Sequence, residues 1–304
     1  MDPLRLLGAP PGDPGWGHAR APATGGVELH YVRLGTGRPV VLLHGWPGFW
    51  YDWRAVLPRL AAGVDAVAPD LRGFGDSDRP DLPPAEDYTP EVLAADVLAL
   101  LDHLEAERAV VAAHDLGASV AQVLARTAPE RVAALVLLNP PYPGIGRRRF
   151  DPAAQREFWY QHFHALPWSD RLVGHDRETV RLYLAHFHER WVGRKEALRE
   201  EEFEAVVDVY ARPGAVRASF AYYRARAEAR AREAALAPEE VRVEVPTWVV
   251  WGEADPVIPV AWSDRLPEFF PQLRSFRRLP GVGHFVPWEA PEEVAATIFE
   301  ALRG

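Results

Sequence analysis

One acidic residue, Asp115, sits where an apolar run meets a helix-compatible one, and that junction narrows the folds open to this chain. The preceding Ala109-Val110-Val111-Ala112-Ala113 reads as a buried strand, and Ala118 to Thr127 reads as a helix. Only His114-Asp115-Leu116-Gly117 lies between them. Small residues two before and two after the acid, Ala113 and Gly117, let so sharp a turn close. A strand, one reactive residue on a tight turn and then a helix make a nucleophile elbow. The bland alternative is an N-cap, a role that Asp also favours. A Ser at this position would attack acyl carbon and need a base to take its proton. A carboxylate is already ionised near neutral pH. It can displace a leaving group at saturated carbon and leave an alkyl ester on the enzyme. The expected substrates are electrophiles such as epoxides or alkyl halides, not esters.

The partners for such chemistry follow in order along the chain. Upstream, Val40-Val41-Leu42-Leu43 is a buried strand running into His44-Gly45-Trp46-Pro47-Gly48. Ala68-Pro69-Asp70-Leu71-Arg72-Gly73-Phe74-Gly75-Asp76-Ser77 comes next. Far downstream, Thr247-Trp248-Val249-Val250-Trp251 ends in Gly252-Glu253-Ala254-Asp255-Pro256, and Gly281-Val282-Gly283 leads to His284. His284 is the candidate base, because an imidazole titrates near neutrality and can take a proton from water. An acid at Asp255 would accept a hydrogen bond from it and fix its tautomer; Glu253 is the rival and Asp264 a distant third. The backbone N–H groups of Trp46 and Leu116 follow strand ends and are the candidate oxyanion hole.

This order of nucleophile, acid and His resembles the α/β-hydrolase superfamily and, within it, the epoxide hydrolases, a branch related to haloacid and haloalkane dehalogenases. The run His44-Gly45-Trp46-Pro47 followed by Phe49-Trp50-Tyr51-Asp52-Trp53-Arg54 is especially similar to that family. The resemblance extends from about residue 25 to the end. It implies an α/β-hydrolase fold, a mostly parallel sheet flanked by helices with an inserted helical cap. It also implies a cofactor-free enzyme with no metal, a cis bond before Pro47, and Asp255 as the acid used. Epoxide opening needs an acid for the leaving oxygen, and the resemblance assigns that role to Tyr160 and Tyr223 in the cap. Tyr222 is the slip-by-one alternative, and cap tyrosines are also ordinary packing residues. His44, Trp50, Trp159 and Phe285 are the expected substrate-binding residues, although aromatics at helical spacing are more often core. Haloalkane dehalogenases commonly carry Trp directly after the nucleophile, where this chain has Leu116. Fluoroacetate dehalogenases carry arginines there and a His-Trp pair in the cap, where this chain has Leu116 and Ser119, and Tyr160 and Gln161. Dehalogenation is therefore the rival expectation, and a non-catalytic ligand-binding relative a remoter one.

Composition excludes several classes. The chain of 304 residues suits one α/β core with an insertion, and a hydrophobic content of 48% suits a sizeable core. With no Cys, disulfides, thiolate metal sites and a Cys nucleophile are excluded. A net charge of −9 argues against nucleic acid as a partner. No run approaches the roughly 20 apolar residues of a membrane helix, and the N-terminus lacks the apolar core of a signal peptide. A cytoplasmic location is expected, and the sequence is compatible with a monomer or a homodimer. Lys195 is the single lysine among 34 basic residues, which fits a GC-rich, bacterial coding bias.

The expected organisation is a core in two parts, 1–140 and 243–304, with a helical cap at 141–242. Residues 1 to 17 are rich in Pro and Gly and read as an irregular lead-in. Val27 to Val32 alternates and reads as an early edge strand. Within the cap, helices are expected over Gln155 to Ala165, Arg177 to Trp191, Arg199 to Tyr210 and Ala215 to Ala235.

Overall fold

The computed structural model describes residues 16–197, 199–227 and 238–304. The strands are β1 (Gly17–Pro22), β2 (Glu28–Leu34), β3 (Arg38–Leu43), β4 (Val64–Pro69), β5 (Ala109–His114), β6 (Val132–Leu138), β7 (Thr247–Gly252) and β8 (Leu273–Leu279). The longer helices are α1 (Pro90–His103), α2 (Leu116–Thr127), α3 (Trp159–Ala165), α4 (Arg177–Trp191), α5 (Glu200–Tyr210), α6 (Ala215–Arg226) and α7 (Pro291–Arg303). The strands form one eight-stranded sheet in the order β1-β2-β4-β3-β5-β6-β7-β8. The β1/β2 and β2/β4 pairs are antiparallel and the remaining pairs parallel. Every residue of β4, β5 and β7 is buried, as the near-continuous apolar runs of a sheet covered on both faces require.

β5 lies at the centre, in register with β3 (Val40 opposite Val110, Leu43 opposite Ala113) and with β6 (His114 opposite Leu138). The carboxyl ends of β3, β5, β6 and β7 therefore open on one edge of the sheet, which is where open α/β sheets bind ligands. α2 leaves β5 after a single residue, Asp115, held at φ +47°. Two glycines make room for it. A Cβ on Gly117 would stand 2.5 Å from the His44 carbonyl oxygen, and one on Gly45 would stand 2.5 Å from the Asp115 Cβ. Both positions admit no larger residue without moving main chain or the acid itself.

Two readings of the sequence are corrected, and one strand was missed. The edge strand is β1, which begins where the expected irregular lead-in ends, and β2 is its inner neighbour. β8, dense in Arg and alternately exposed, shows an edge-strand pattern that hides it from an apolar-run search. The expected helix Gln155 to Ala165 is two helices, Pro152–Glu157 and α3, separated at Phe158. α6 matches the first part of the helix expected over Ala215 to Ala235; residues 228–237 lie outside the described residues. Between β6 and β7 the described residues carry helices and no strand. No helix among the described residues is long and apolar enough to cross a membrane.

Candidate active site

Asp115 is 9% exposed at the carboxyl end of β5. Its Oδ1 accepts the Trp46 N–H at 3.1 Å, and the Leu116 N–H also donates to the carboxylate. Both donors come from main chain that follows a strand end, so their geometry is set by β3 and β5 and not by side chains. The Trp46-Pro47 bond is cis. Burial raises the Asp115 pKa, while His284 and the two N–H donors pull it back towards the carboxylate.

His284 reaches the same point from the loop after β8. Its Nε2 is 3.7 Å from Asp115 Oδ2, and its Nδ1–H donates to Asp255 Oδ2 at 2.9 Å. Burial works to lower the imidazole pKa, but the Asp255 and Asp115 charges outweigh it, so the pKa stands above its ordinary value. Asp255 is itself fixed. Its Oδ1 accepts the N–H groups of Val257 (2.7 Å) and Ile258 (3.1 Å). Glu253, its rival, instead pairs with Arg278 at 2.8 Å, and Asp264 pairs with Arg148 at 2.8 Å.

A cavity opens at the carboxylate of Asp115, and Leu116, Tyr160, Tyr222 and Tyr223 line it. The rings of Tyr160 and Tyr223 meet edge to face, with centroids 5.6 Å apart. Trp46 stacks on Tyr160 at 5.3 Å and meets Tyr223 at 5.9 Å. The Tyr160 hydroxyl accepts a hydrogen bond from Gln161 Nε2 at 3.1 Å. Tyr222 is turned at 90° to Tyr223 and carries the Arg226 guanidinium over its ring at 5.6 Å. Asp115, His284, Asp255, Tyr160 and Tyr223 are thus brought together from five separate segments.

The four expected substrate-binding residues are not among those lining this cavity, for distinct reasons. His44 is wholly buried: Nδ1–H donates to the Gly45 carbonyl and Nε2 accepts the Leu71 N–H at 3.0 Å, so it braces the main chain before Trp46. Trp50 packs against Trp16 and His18, and its backbone N–H donates to Asp70. Trp159 is 40% exposed and stacks on Phe187. Phe285 stacks on His188 and Trp288.

Sequence reasoning missed several residues. Asn139, at φ +41° after β6, donates from Nδ2 to Asp255 Oδ2 (2.8 Å) and accepts the Gly252 N–H at Oδ1 (2.8 Å). The signal was there, as Asn is one of the few residues tolerated in that backbone region and it ends a buried strand. His114 donates from Nε2 to the His284 carbonyl at 2.8 Å, and burial holds its pKa well below the usual histidine range. Ser119, Ile145, Arg149 and Phe158 add cavity wall that no local pattern marks. Among the described residues, three metal-capable side chains converge only at His30, Asp70 and Asp76. There His30 Nδ1 donates to Asp70 Oδ2 at 2.7 Å, and the Asp70 oxygens also accept the Trp50 and Asp76 N–H groups. The donor set is already satisfied by hydrogen bonds.

The comparisons with known proteins agree with this fold. A family model described as alpha/beta hydrolase fold matches residues 38–291. The chain is 31% identical to a soluble epoxide hydrolase of Corynebacterium sp., over 91% of this chain and 96% of that protein. It is 31% identical to epoxide hydrolase A of Mycobacterium tuberculosis, over 92% and 96% of the two chains. A solved structure titled epoxide hydrolase CorEH without ligand superposes with a TM-score of 0.81 at 30% identity, covering 95% of this chain and 99% of that one. The chain belongs to the α/β-hydrolase superfamily, in its epoxide hydrolase family, and is a hydrolase.

Proposed function

We propose that this enzyme hydrolyses an epoxide to a vicinal diol through an alkyl ester on Asp115. The observation that carries the reading is the cavity in which Tyr160 and Tyr223 share a wall with the Asp115 carboxylate. An acid for the epoxide oxygen and a nucleophile for its carbon can thus act on one small molecule together. A carboxylate oxygen of Asp115 attacks an epoxide carbon as the C–O bond breaks. The oxygen takes a proton from a tyrosine hydroxyl, the only acid such a side chain offers. In the second step His284 Nε2 removes a proton from water, and the hydroxide adds to the ester carbonyl carbon. The Trp46 and Leu116 N–H groups face the carboxylate of Asp115 and would hold the resulting oxyanion. Collapse expels an alkoxide that takes the proton of the new Asp115 carboxyl, giving the diol and the Asp115 carboxylate, and the imidazolium, stabilised meanwhile by Asp255, returns its proton to the tyrosinate.

A turnover assay with styrene oxide, a small aliphatic epoxide, a haloalkane and a haloacetate tests the reading. Diol without halide, lost in Tyr160→Phe with Tyr223→Phe, is the expected result. Halide release with inert epoxides would overturn it in favour of dehalogenation by the same nucleophile.

A further inference from the structure

The carboxylate of Glu289 gathers four backbone N–H groups from two separate segments. Oε2 accepts from Gly193, Arg194 and Gly283, each at 2.8 Å, and Oε1 accepts from Phe285 at 3.1 Å. Gly283 and Phe285 flank His284, whereas Gly193 and Arg194 follow the end of α4 in the helical insertion. The same segments also touch directly, since the His284 N–H donates to the Trp191 carbonyl at 2.8 Å. Their approach is so close that a Cβ on Gly193 would lie 2.3 Å from the Gly281 carbonyl oxygen, and one on Gly283 would lie 2.2 Å from that of Trp191.

Glu289 is 4% exposed, and no ion pair to it is found among the described residues. A buried carboxylate is costly unless hydrogen bonds replace its water, and here main-chain donors do so. The arrangement has a consequence for the site. α4 carries Phe187 and Trp191, which pack on Tyr160 at 5.4 and 5.2 Å, and Trp191 also packs on the His284 ring at 5.0 Å. One carboxylate therefore ties the loop of the base to the end of α4, whose Trp191 packs on the base itself.

We propose that Glu289 is a positioning residue for the hydrolytic half of the reaction, fixing the main chain on both sides of His284 to the end of α4. The proposal rests on the function proposed above. Ester formation uses Asp115 and the tyrosines, and Glu289 bonds to none of them. Ester hydrolysis uses His284, whose two neighbours in sequence Glu289 holds. Loss of the carboxylate therefore separates the two steps.

Single-turnover kinetics of wild type, Glu289→Gln and Glu289→Ala with styrene oxide read this split by intact-protein mass. Ester formation is expected within about threefold of wild type and ester breakdown at least about tenfold slower, so the ester accumulates and KM falls with kcat. Glu289→Gln keeps one acceptor oxygen and falls between wild type and Glu289→Ala. A parallel fall in both steps, or unchanged breakdown, overturns the proposal. Wild type that forms neither ester nor diol overturns the reading of the site together with the role given to Glu289. Where a variant fails to fold, hydrogen exchange on wild type still decides. Segments 191–194 and 281–286 are expected to be protected and to open together, and rapid exchange of either one contradicts the latch.

Discussion

His284 Nε2 stands 3.7 Å from Asp115 Oδ2 and makes no hydrogen bond among the described residues, while Nδ1 is held by Asp255 at 2.9 Å. The gap is longer than a hydrogen bond, so the base is oriented towards the nucleophile without being bound to it. That suits a two-step reaction, in which the imidazole acts on water after Asp115 has become an ester.

Removing the base should divide the reaction. His284→Ala is expected to form the ester and fail to release it, so intact-mass spectrometry shows the protein heavier by one substrate. Asp115→Ala is expected to show neither adduct nor turnover. A persistent adduct in Asp115→Ala would place the nucleophile elsewhere.

The tyrosines should act before the ester. Tyr160→Phe and Tyr223→Phe are each expected to slow ester formation by roughly 10- to 100-fold, at the lower end of what general acids contribute. The double variant should be slower still, with ester breakdown unchanged in all three. A breakdown defect without a formation defect, measured by rapid quench, would recast them as packing residues.

The pH profile should carry the signature of His284. The base must be neutral to take a proton, so kcat falls as pH drops through its pKa. In the free enzyme burial works to lower that pKa, and the Asp255, Asp115 and Glu289 charges hold it above the ordinary 6.5. In the ester the Asp115 charge is gone, so the acid limb of kcat is expected to depend chiefly on the Asp255 charge. Asp255→Asn should move the limb to lower pH and reduce kcat.

Asp52 offers a test of stability. It is buried, its Oδ1 has no hydrogen-bond partner among the described residues, and burial raises its pKa to about 8. A carboxyl whose pKa is raised in the folded protein contributes stability that is full below the unfolded value, near 3.8, and lost as pH rises to about 8. Asp52→Asn cannot ionise. Its thermal midpoint, relative to wild type, should rise between pH 5 and 8 and level off above, as scanning calorimetry at several pH values would show.

Asn139 should matter to the second step. Asn139→Ala leaves the Gly252 N–H without its partner, at a cost of about 1–3 kcal/mol for a buried group, and leaves Asp255 Oδ2 with His284 alone. Slower ester breakdown with a lowered thermal midpoint is expected; an unchanged breakdown rate would reduce Asn139 to scaffolding.

Much of this site was legible because strand ends are marked in sequence. β3, β5 and β7 are apolar runs that stop at His44, Asp115 and Glu253, so the order of the elements placed Asp115, Asp255 and the Trp46 N–H on one edge. Residues that act through main chain were not legible. Glu289 binds N–H groups 96 and 6 residues away, and spacing alone does not announce such a bond. Which aromatics face the cavity was not legible for the same reason. An aromatic in a motif, such as Trp50 or Phe285, looks alike whether it faces a cavity or the core, and its neighbours decide which. β8 escaped notice because an edge strand needs only one covered face and carries arginines on the other.

The central claim, an ester on Asp115 opened at its carbonyl carbon, is tested most directly by a single turnover in water labelled with heavy oxygen. Hydroxide attack on the ester carbonyl puts the label into the carboxylate of Asp115 and leaves the diol of that first turnover unlabelled, both readable by mass spectrometry of the diol and of the peptide holding Asp115. Label in the first-turnover diol with none in that peptide would mean that water opens the epoxide directly, and would contradict the nucleophilic role of Asp115.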